Sequence, residues 1–150
     1  MAKSENQKMK TLFVAKYFLE NSDENHPITA GDITDYLKNE YGIESERRAI
    51  YRDIAALRDV FGMDIDGGQG GKYRLLSRQF KFDDLRLLAE CVHAAKFISA
   101  SKAKDLVDTI GEFCSTYQAE ELQREVFLCD RVKTTRKDIL LIIGIIQAAM

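Results

Sequence analysis

Four arginines and a tyrosine fall within the segment ERRAIYRDIAALRD, positions 46 to 59: Arg47, Arg48, Tyr51, Arg52 and Arg58. A guanidinium presents its N–H donors as a planar fork, so it pairs two-pronged with a phosphate, a carboxylate or the O6/N7 edge of guanine, which the point charge of a lysine does not reproduce. Ile50, Ile54, Leu57 and Phe61 fall within about 60° of one another on a helical wheel of about 100° per residue. They form the expected buried stripe. Arg48 and Arg52 lie opposite it, and Arg47 and Tyr51 flank it. Such a cationic, aromatic face suits a polyanion, and a solvated helix surface has the same composition, so the flanking sequence has to decide.

Other chemistry is poorly represented. Cys91, Cys114 and Cys129 are odd in number, far apart and in no CxxC pair, as expected of free thiols in a reducing compartment. His26 and His93 have no ligand partners at metal spacing, so no metal is expected and both read as structural. GGQGG lacks a following Lys-Ser/Thr and opens no helix, which excludes a P-loop or dinucleotide fingerprint. No nucleophile, paired carboxylates or metal set stands in a recognisable arrangement. We expect no catalytic residues and no cofactor.

At 150 residues, with 45% hydrophobic and 31% charged, the chain has a globular composition and length for one domain or two small ones. The formal net charge of −2 announces no polyanionic partner. Charge is segregated, however. Residues 1–21 carry four Lys against two Glu and residues 42–81 carry eight Lys/Arg against six Asp/Glu, whereas residues 22–41 hold one Lys against five acids. Residues 82–115 hold four bases against six acids, and the remainder balances at five each. MAKSENQKMK has no signal-peptide apolar run, and ILLIIGII with its flanks falls short of the about 20 residues that span a bilayer. A cytoplasmic protein without a membrane partner is expected.

The spacing predicts a helix from Asn6 to Glu20 with Met9, Leu12, Ala15 and Phe18 or Leu19 inward. A second runs from Ala30 to about Glu40, opened by a capping box of Thr29 and Asp32 and ended by Gly42. A third starts near Ser45 after the tight connection YGIE and stops at Gly62. MDI and KYRLL, either side of DGGQGG, read as a hairpin. Helix, helix-turn-helix and basic hairpin, in that order, predict a mainly α fold with a winged helix-turn-helix over residues 1–80. An α-helical segment over 81–150 follows, with Leu85, Leu88, Ala89, Val92 and Ala95 repeating at helical spacing, then Leu106, Ile110 and Phe113, then a helix from about Ala119 to Leu128. Phe80 and Phe82 are expected to join the wing to this segment. Residues 138–150 are apolar on nearly every face and call for a partner surface.

The runs EYGIESERRAIYRDIAALRDVFGMDID, GGKYRLLSRQF and DDLRLLAECVHAAKFISASKAKDLVDTI resemble the WYL-domain transcriptional regulators of bacteria, especially their clostridial and bacillus-like branch. RRAIYRDI resembles that family's recognition helix, and the likeness extends over nearly the whole chain. In the family the last helix leads into a β-rich domain that carries a Trp-Tyr-Leu triplet and is thought to sense a ligand. This chain has no Trp and ends at Met150. The expectation is therefore a fragment or short form lacking the effector domain, with no effector ligand of its own.

The resemblance and the element order together imply a cytoplasmic, sequence-specific regulator that binds double-stranded DNA as a homodimer. The helix 45–58 would lie in the major groove, with Arg48 and Arg52 reading bases. Arg47 and Tyr51 would meet phosphates, and Ser45 would donate to a phosphate or cap the helix. Lys72 and Arg74 would bring the wing to the neighbouring backbone, Tyr73 would pack, and Asp53 would pair locally, with an arginine as one candidate. The alternative is a protein-interaction module, or a short form that pairs with a full-length regulator and disables it.

Overall fold

A computed structural model describes residues 7–128, so the expectations for Cys129 and for the apolar segment 138–150 lie outside the described residues. The chain is mainly helical, with six helices and one small three-stranded antiparallel sheet among the described residues. It divides between Gln79 and Phe80 into two compact units. No helix of the described residues is long and apolar enough to cross a membrane.

In the first unit, α1 (Lys10–Asn21), β1 (Ile28–Thr29), α2 (Ala30–Tyr41) and α3 (Arg47–Asp59) precede a hairpin of β2 (Ile65–Gly67) and β3 (Lys72–Leu75). The capping box forms: the Thr29 hydroxyl accepts from the Asp32 amide at 3.2 Å, and the Thr29 amide donates to the Asp32 carboxylate at 2.7 Å. Two otherwise unmade helix-end bonds are thereby satisfied. At the other end of α2, Gly42 takes φ +64°, and the amides of Gly42 and Ile43 donate to the carbonyls of Lys38 and Leu37. Ile43 is buried, which anchors the short connection into α3.

One core joins these elements: Val14, Ala15 and Phe18 of α1, Ile33 and Leu37 of α2, Ile50, Ile54 and Leu57 of α3, and Ile28, Ile65, Tyr73 and Leu75 of the sheet. The inward face of α1 is rotated from the expected one, because Met9, Leu12 and Leu19 are about half exposed. Helix α1 carries apolar residues on two sides. The side chosen continues from Thr11 through Val14, Ala15 and Phe18, and Thr11 meets a carboxylate on α3. Phe61 leaves the expected stripe and is 70% exposed. Helix α3 ends at Asp59, the chain turns so that the Met63 amide reaches the Leu57 carbonyl at 2.9 Å, and Met63 packs on the core where Phe61 was expected.

Strand β3 is central, with sheet order β1-β3-β2. Ile65, Asp66 and Gly67 pair with Leu75, Arg74 and Tyr73, and Ile28 and Thr29 pair with Tyr73 and Lys72. Strand β1 has no counterpart in the sequence reading, and β2 begins at the last residue of the expected MDI strand. The buried Ser22 hydroxyl accepts from the Leu75 amide at 3.1 Å, and its carbonyl accepts from Arg78 at 2.7 Å, tying the end of α1 to β3. Asp23, also buried, accepts from the amides of Asn25 and His26 and bonds the His26 ring, so His26 organises this loop.

The second unit contains α4 (Phe82–Ala94), α5 (Ala100–Gly111) and α6 (Thr116–Leu128). Leu85, Ala89, Val107, Cys114 and Leu122 form its core, with Phe82, Val92 and Ile110 half-buried against it. Leu88 and Phe113, expected inward, are 46% and 45% exposed. Helices α5 and α6 approach closely where Gly111 meets Ala119, since a Cβ on Gly111 would stand 3.2 Å from that of Ala119. A close crossing leaves no room for large neighbours. Phe80, expected in a core shared with the wing, is 41% exposed and sets its ring edge-on to Phe113 in this unit.

Two glycines separate strain from crowding. A Cβ on Gly67, at φ +111°, would come to 2.1 Å from the Lys72 carbonyl oxygen, whereas one on Gly42 would meet nothing within 4 Å. Gly42→Ala should therefore cost about 1–2 kcal/mol from the left-handed backbone alone. Gly67→Ala should cost more than that and weaken the hairpin. Urea unfolding of both variants measures the difference, and equal losses would contradict this account.

Candidate nucleic-acid interface

Burial of Ile50, Ile54 and Leu57, all at 2% exposure or less, fixes which way each face of α3 points. Arg48 and Arg52, opposite that stripe, are exposed, as are Arg47 and Tyr51. Among the described residues no carboxylate pairs with Arg47, Arg48 or Arg52. Ala55, one turn beyond Arg52, is exposed as well, and the exposed Asp59 closes the helix, so the outward face is cationic at its start and carries one acid at its end.

Both flanks of α3 are held by charged side chains that do have partners. On one flank, Asp53 takes Lys10 Nζ at 2.8 Å and the Thr11 hydroxyl at 2.9 Å, with both members of the ion pair mostly buried. The partner of Asp53 is thus a lysine and a threonine 43 and 42 positions earlier, in place of a local group. On the other flank, Arg58 donates from Nε to the Ile65 carbonyl at 2.6 Å and from Nη2 to the Gly67 carbonyl at 3.0 Å. Its guanidinium also lies 5.8 Å from the centre of the Tyr73 ring. Tyr51, one heptad before Arg58, sets its ring 6.4 Å from the same Tyr73. Burial, followed by the neighbouring Tyr51 hydroxyl, raises the Tyr73 pKa, against a lowering by Arg58. Tyr73 is a packing residue, buried in the core with Ile65 and Leu75.

The sequence reading counted Arg58 among the cations without giving it a role. A signal was present: residues seven apart share a helix flank, so Tyr51 and Arg58 face the same neighbour.

Lys72 and Arg74 are exposed on β3, while Tyr73 and Leu75 between and after them are buried, as the two-residue period of a strand requires. Asp66, Gly67, Lys72 and Arg74 line an open groove of about 500 Å³. Asp66 stands directly across the ladder from Arg74 and is itself exposed, which offsets the charge of Arg74. Lys72 stands across from Thr29, which carries no charge. Of the wing pair, Lys72 is the better anion contact.

Ser45 is a correction. Glu46 occupies the N-cap of α3 and makes no side-chain cap bond, and the Ser45 hydroxyl oxygen is buried without a hydrogen-bond partner among the described residues. Ser45 therefore does not cap the helix, and its hydroxyl oxygen is not at the surface. Among the described residues no group of three His, Cys, Asp or Glu is placed to hold a metal. Cys114 is buried and Cys91 exposed, both as free thiols.

No family model, curated protein or solved structure matches this chain.

The Asp53 contacts carry a stability expectation. Removing one member of a buried pair leaves the other unpaired, which costs about 3–5 kcal/mol when burial is complete. With side-chain exposures of 16% for Lys10 and 14% for Asp53, the loss for Asp53→Ala should fall at or below the low end of that range. Adding Lys10→Met should recover part of it, because the stranded ammonium is then gone. A thermodynamic cycle by urea unfolding measures this, and strictly additive losses would show that the two charges do not interact.

Proposed function

We propose that this chain is a sequence-specific DNA-binding transcriptional regulator of the winged helix-turn-helix class, related to the WYL regulators it resembles. The observation that carries the reading is the division of charge on α3. Asp53 and Arg58 on the flanks are consumed by internal contacts, while Arg48 and Arg52 on the outward face are exposed and without a carboxylate partner among the described residues. Unpaired guanidinium groups on a rigid helix are what the guanine edge in a major groove accepts.

In this reading the first turns of α3 enter the major groove, and Arg48 and Arg52 read base edges. Arg47 and Tyr51 lie to the side and meet phosphates, which position the helix without specifying sequence. The small Ala55 lets the helix approach the groove floor. Lys72 brings the hairpin to the adjacent backbone, and Arg74 contributes less because of Asp66. The acidic balance of residues 82–115 makes that segment a poor partner for phosphates. It serves association instead, and Leu87 and Leu88 of α4 expose apolar surface, at 61% and 46%, that a homodimer would use. A two-fold dimer would place its half-sites about 34–36 Å apart on the duplex.

Selection of duplexes from a random-sequence pool by the purified chain, followed by titration at several salt concentrations, tests the proposal. Enrichment of a common sequence and an affinity that falls steeply with salt are expected. Arg52→Ala should weaken the selected duplex by about 1–3 kcal/mol and relax preference at one base pair, whereas Lys72→Ala should weaken all duplexes alike. A chain that enriches nothing and binds no duplex at low salt is not a DNA-binding regulator. For association, light scattering should give a dimer at micromolar concentration. A monomer there, with a chain truncated near Phe80 still dimerising, would remove residues 82–150 from that role.

A further inference from the structure

We infer that Arg58 is the positioning residue that sets the hairpin against α3, so that Lys72 and the outward arginines engage one duplex together. The inference rests on the DNA-binding reading above and adds a specific part to it. Arg58 lies in the last turn of α3, on the flank that faces the sheet. Two of its N–H groups are spent on alternate residues of β2, the carbonyls of Ile65 and Gly67, so it bridges helix and strand as a two-pronged clasp. Its guanidinium carbon stands 5.8 Å from the ring centre of Tyr73, the neighbour of Lys72 on the central strand, and Tyr51 on the same flank of α3 meets that ring as well. Tyr51 and Arg58, one heptad apart on α3, therefore both meet Tyr73 of β3, and Arg58 adds the bonds to β2.

The strands themselves are short, three residues in β2 and four in β3, and a hairpin of that size is marginal alone. Burial of Ile65, Tyr73 and Leu75 with Ile50, Ile54 and Leu57, and the pairing of β3 with β1, dock the sheet on the core. The Arg58 clasp adds a direct polar tie from α3 to the outer strand β2, and both its acceptors are backbone atoms that do not swing away as a side chain would. With that tie in place, the helix and the wing act as two linked contacts whose second engagement is intramolecular. Without it they act as two weaker, loosely coupled ones. Arg58 is thus a different kind of arginine from Arg48 and Arg52. Its fork is occupied inside the protein, and its effect on DNA passes through Lys72.

Three variants, Arg58→Met, Arg58→Lys and Lys72→Ala, with the double variant Arg58→Met/Lys72→Ala, test this on the wild-type-selected duplex and on a random duplex of equal length. Methionine keeps the apolar stem without the fork, and lysine keeps the charge without the fork. Arg58→Met and Arg58→Lys should each lose about tenfold on both duplexes, and each should lower the salt slope by about the amount Lys72→Ala does, close to 1 for a single phosphate contact. The double variant should bind no worse than the weaker single one, and the base preference conferred by Arg52 should persist. Arg58→Lys binding like wild type would make Arg58 a direct charge contact and overturn the inference, as would losses for Arg58→Met and Lys72→Ala that simply add. If Arg58→Met does not fold by thermal melting, the same comparison runs with Arg58→Lys and Arg58→Lys/Lys72→Ala. A wild-type chain that binds neither duplex overturns the DNA-binding reading and this inference with it, whereas wild-type binding with additive losses overturns this inference alone.

Discussion

The first unit depends on one constraint, the burial of the Ile50, Ile54 and Leu57 stripe of α3. Each of these side chains is worth about 1.5–3 kcal/mol when fully removed from water, so together they outweigh any single polar contact in the unit. Once the stripe is inward, every other position on α3 has its direction assigned. Asp53 must face α1, Tyr51 and Arg58 must face the sheet, and Arg48, Arg52 and Ala55 must face solvent. The polar contacts then refine an orientation that the apolar stripe has already chosen.

That order of causes explains why charges on a single helix have opposite fates. Lys10, Asp53 and Arg58 sit where α3 meets another element, and leaving any of them unpaired there would cost more than an ordinary hydrogen bond yields. They are accordingly matched, two with each other and the third with carbonyl oxygens. Arg48 and Arg52 meet water at no such cost and remain available. A chain with formal net charge −2 thus presents a locally cationic face in the first turns of α3, because Asp53 is used internally and Asp59 lies at the far end of the helix. Net charge describes the chain's long-range field, while recognition depends on which few charges are left uncommitted.

The second unit follows a different economy. Its core is small, α5 and α6 meet closely where Gly111 lies against Ala119, and the larger apolar side chains Leu87, Leu88 and Phe113 stand outside the core. The hairpin in the first unit is equally spare, and its shape rests on Gly67, whose positive φ and contact with the Lys72 carbonyl no other residue type fits well. Both features show short elements relying on close backbone approach where side-chain burial is limited.

Local patterns in the chain determined the helices of the first unit, the Thr29–Asp32 cap, the stop at Gly42 and the outward direction of Arg48 and Arg52. Each of these follows from periodicity or from residues within four positions of one another. The alternation in KYRLL likewise determined that Tyr73 is buried and that Lys72 and Arg74 are exposed. Tertiary structure alone decided the rest. A two-residue strand such as β1 has no period to read, and it forms because β3 has a free edge to pair. Helix α1 has apolar residues on two sides, and the side taken is the one whose Val14, Ala15 and Phe18 join the core with the stripe of α3, where Thr11 and Lys10 also reach Asp53. Phe61 belongs to the stripe on the wheel, yet it left when the chain turned after Asp59 and Met63 took its place. The flank on which Arg58 lies follows from the helical period, but its bonds to the Ile65 and Gly67 carbonyls, like the burial of the Ser45 hydroxyl, were set by the fold, because a hydrogen bond depends on which atoms the whole fold brings within about 3 Å.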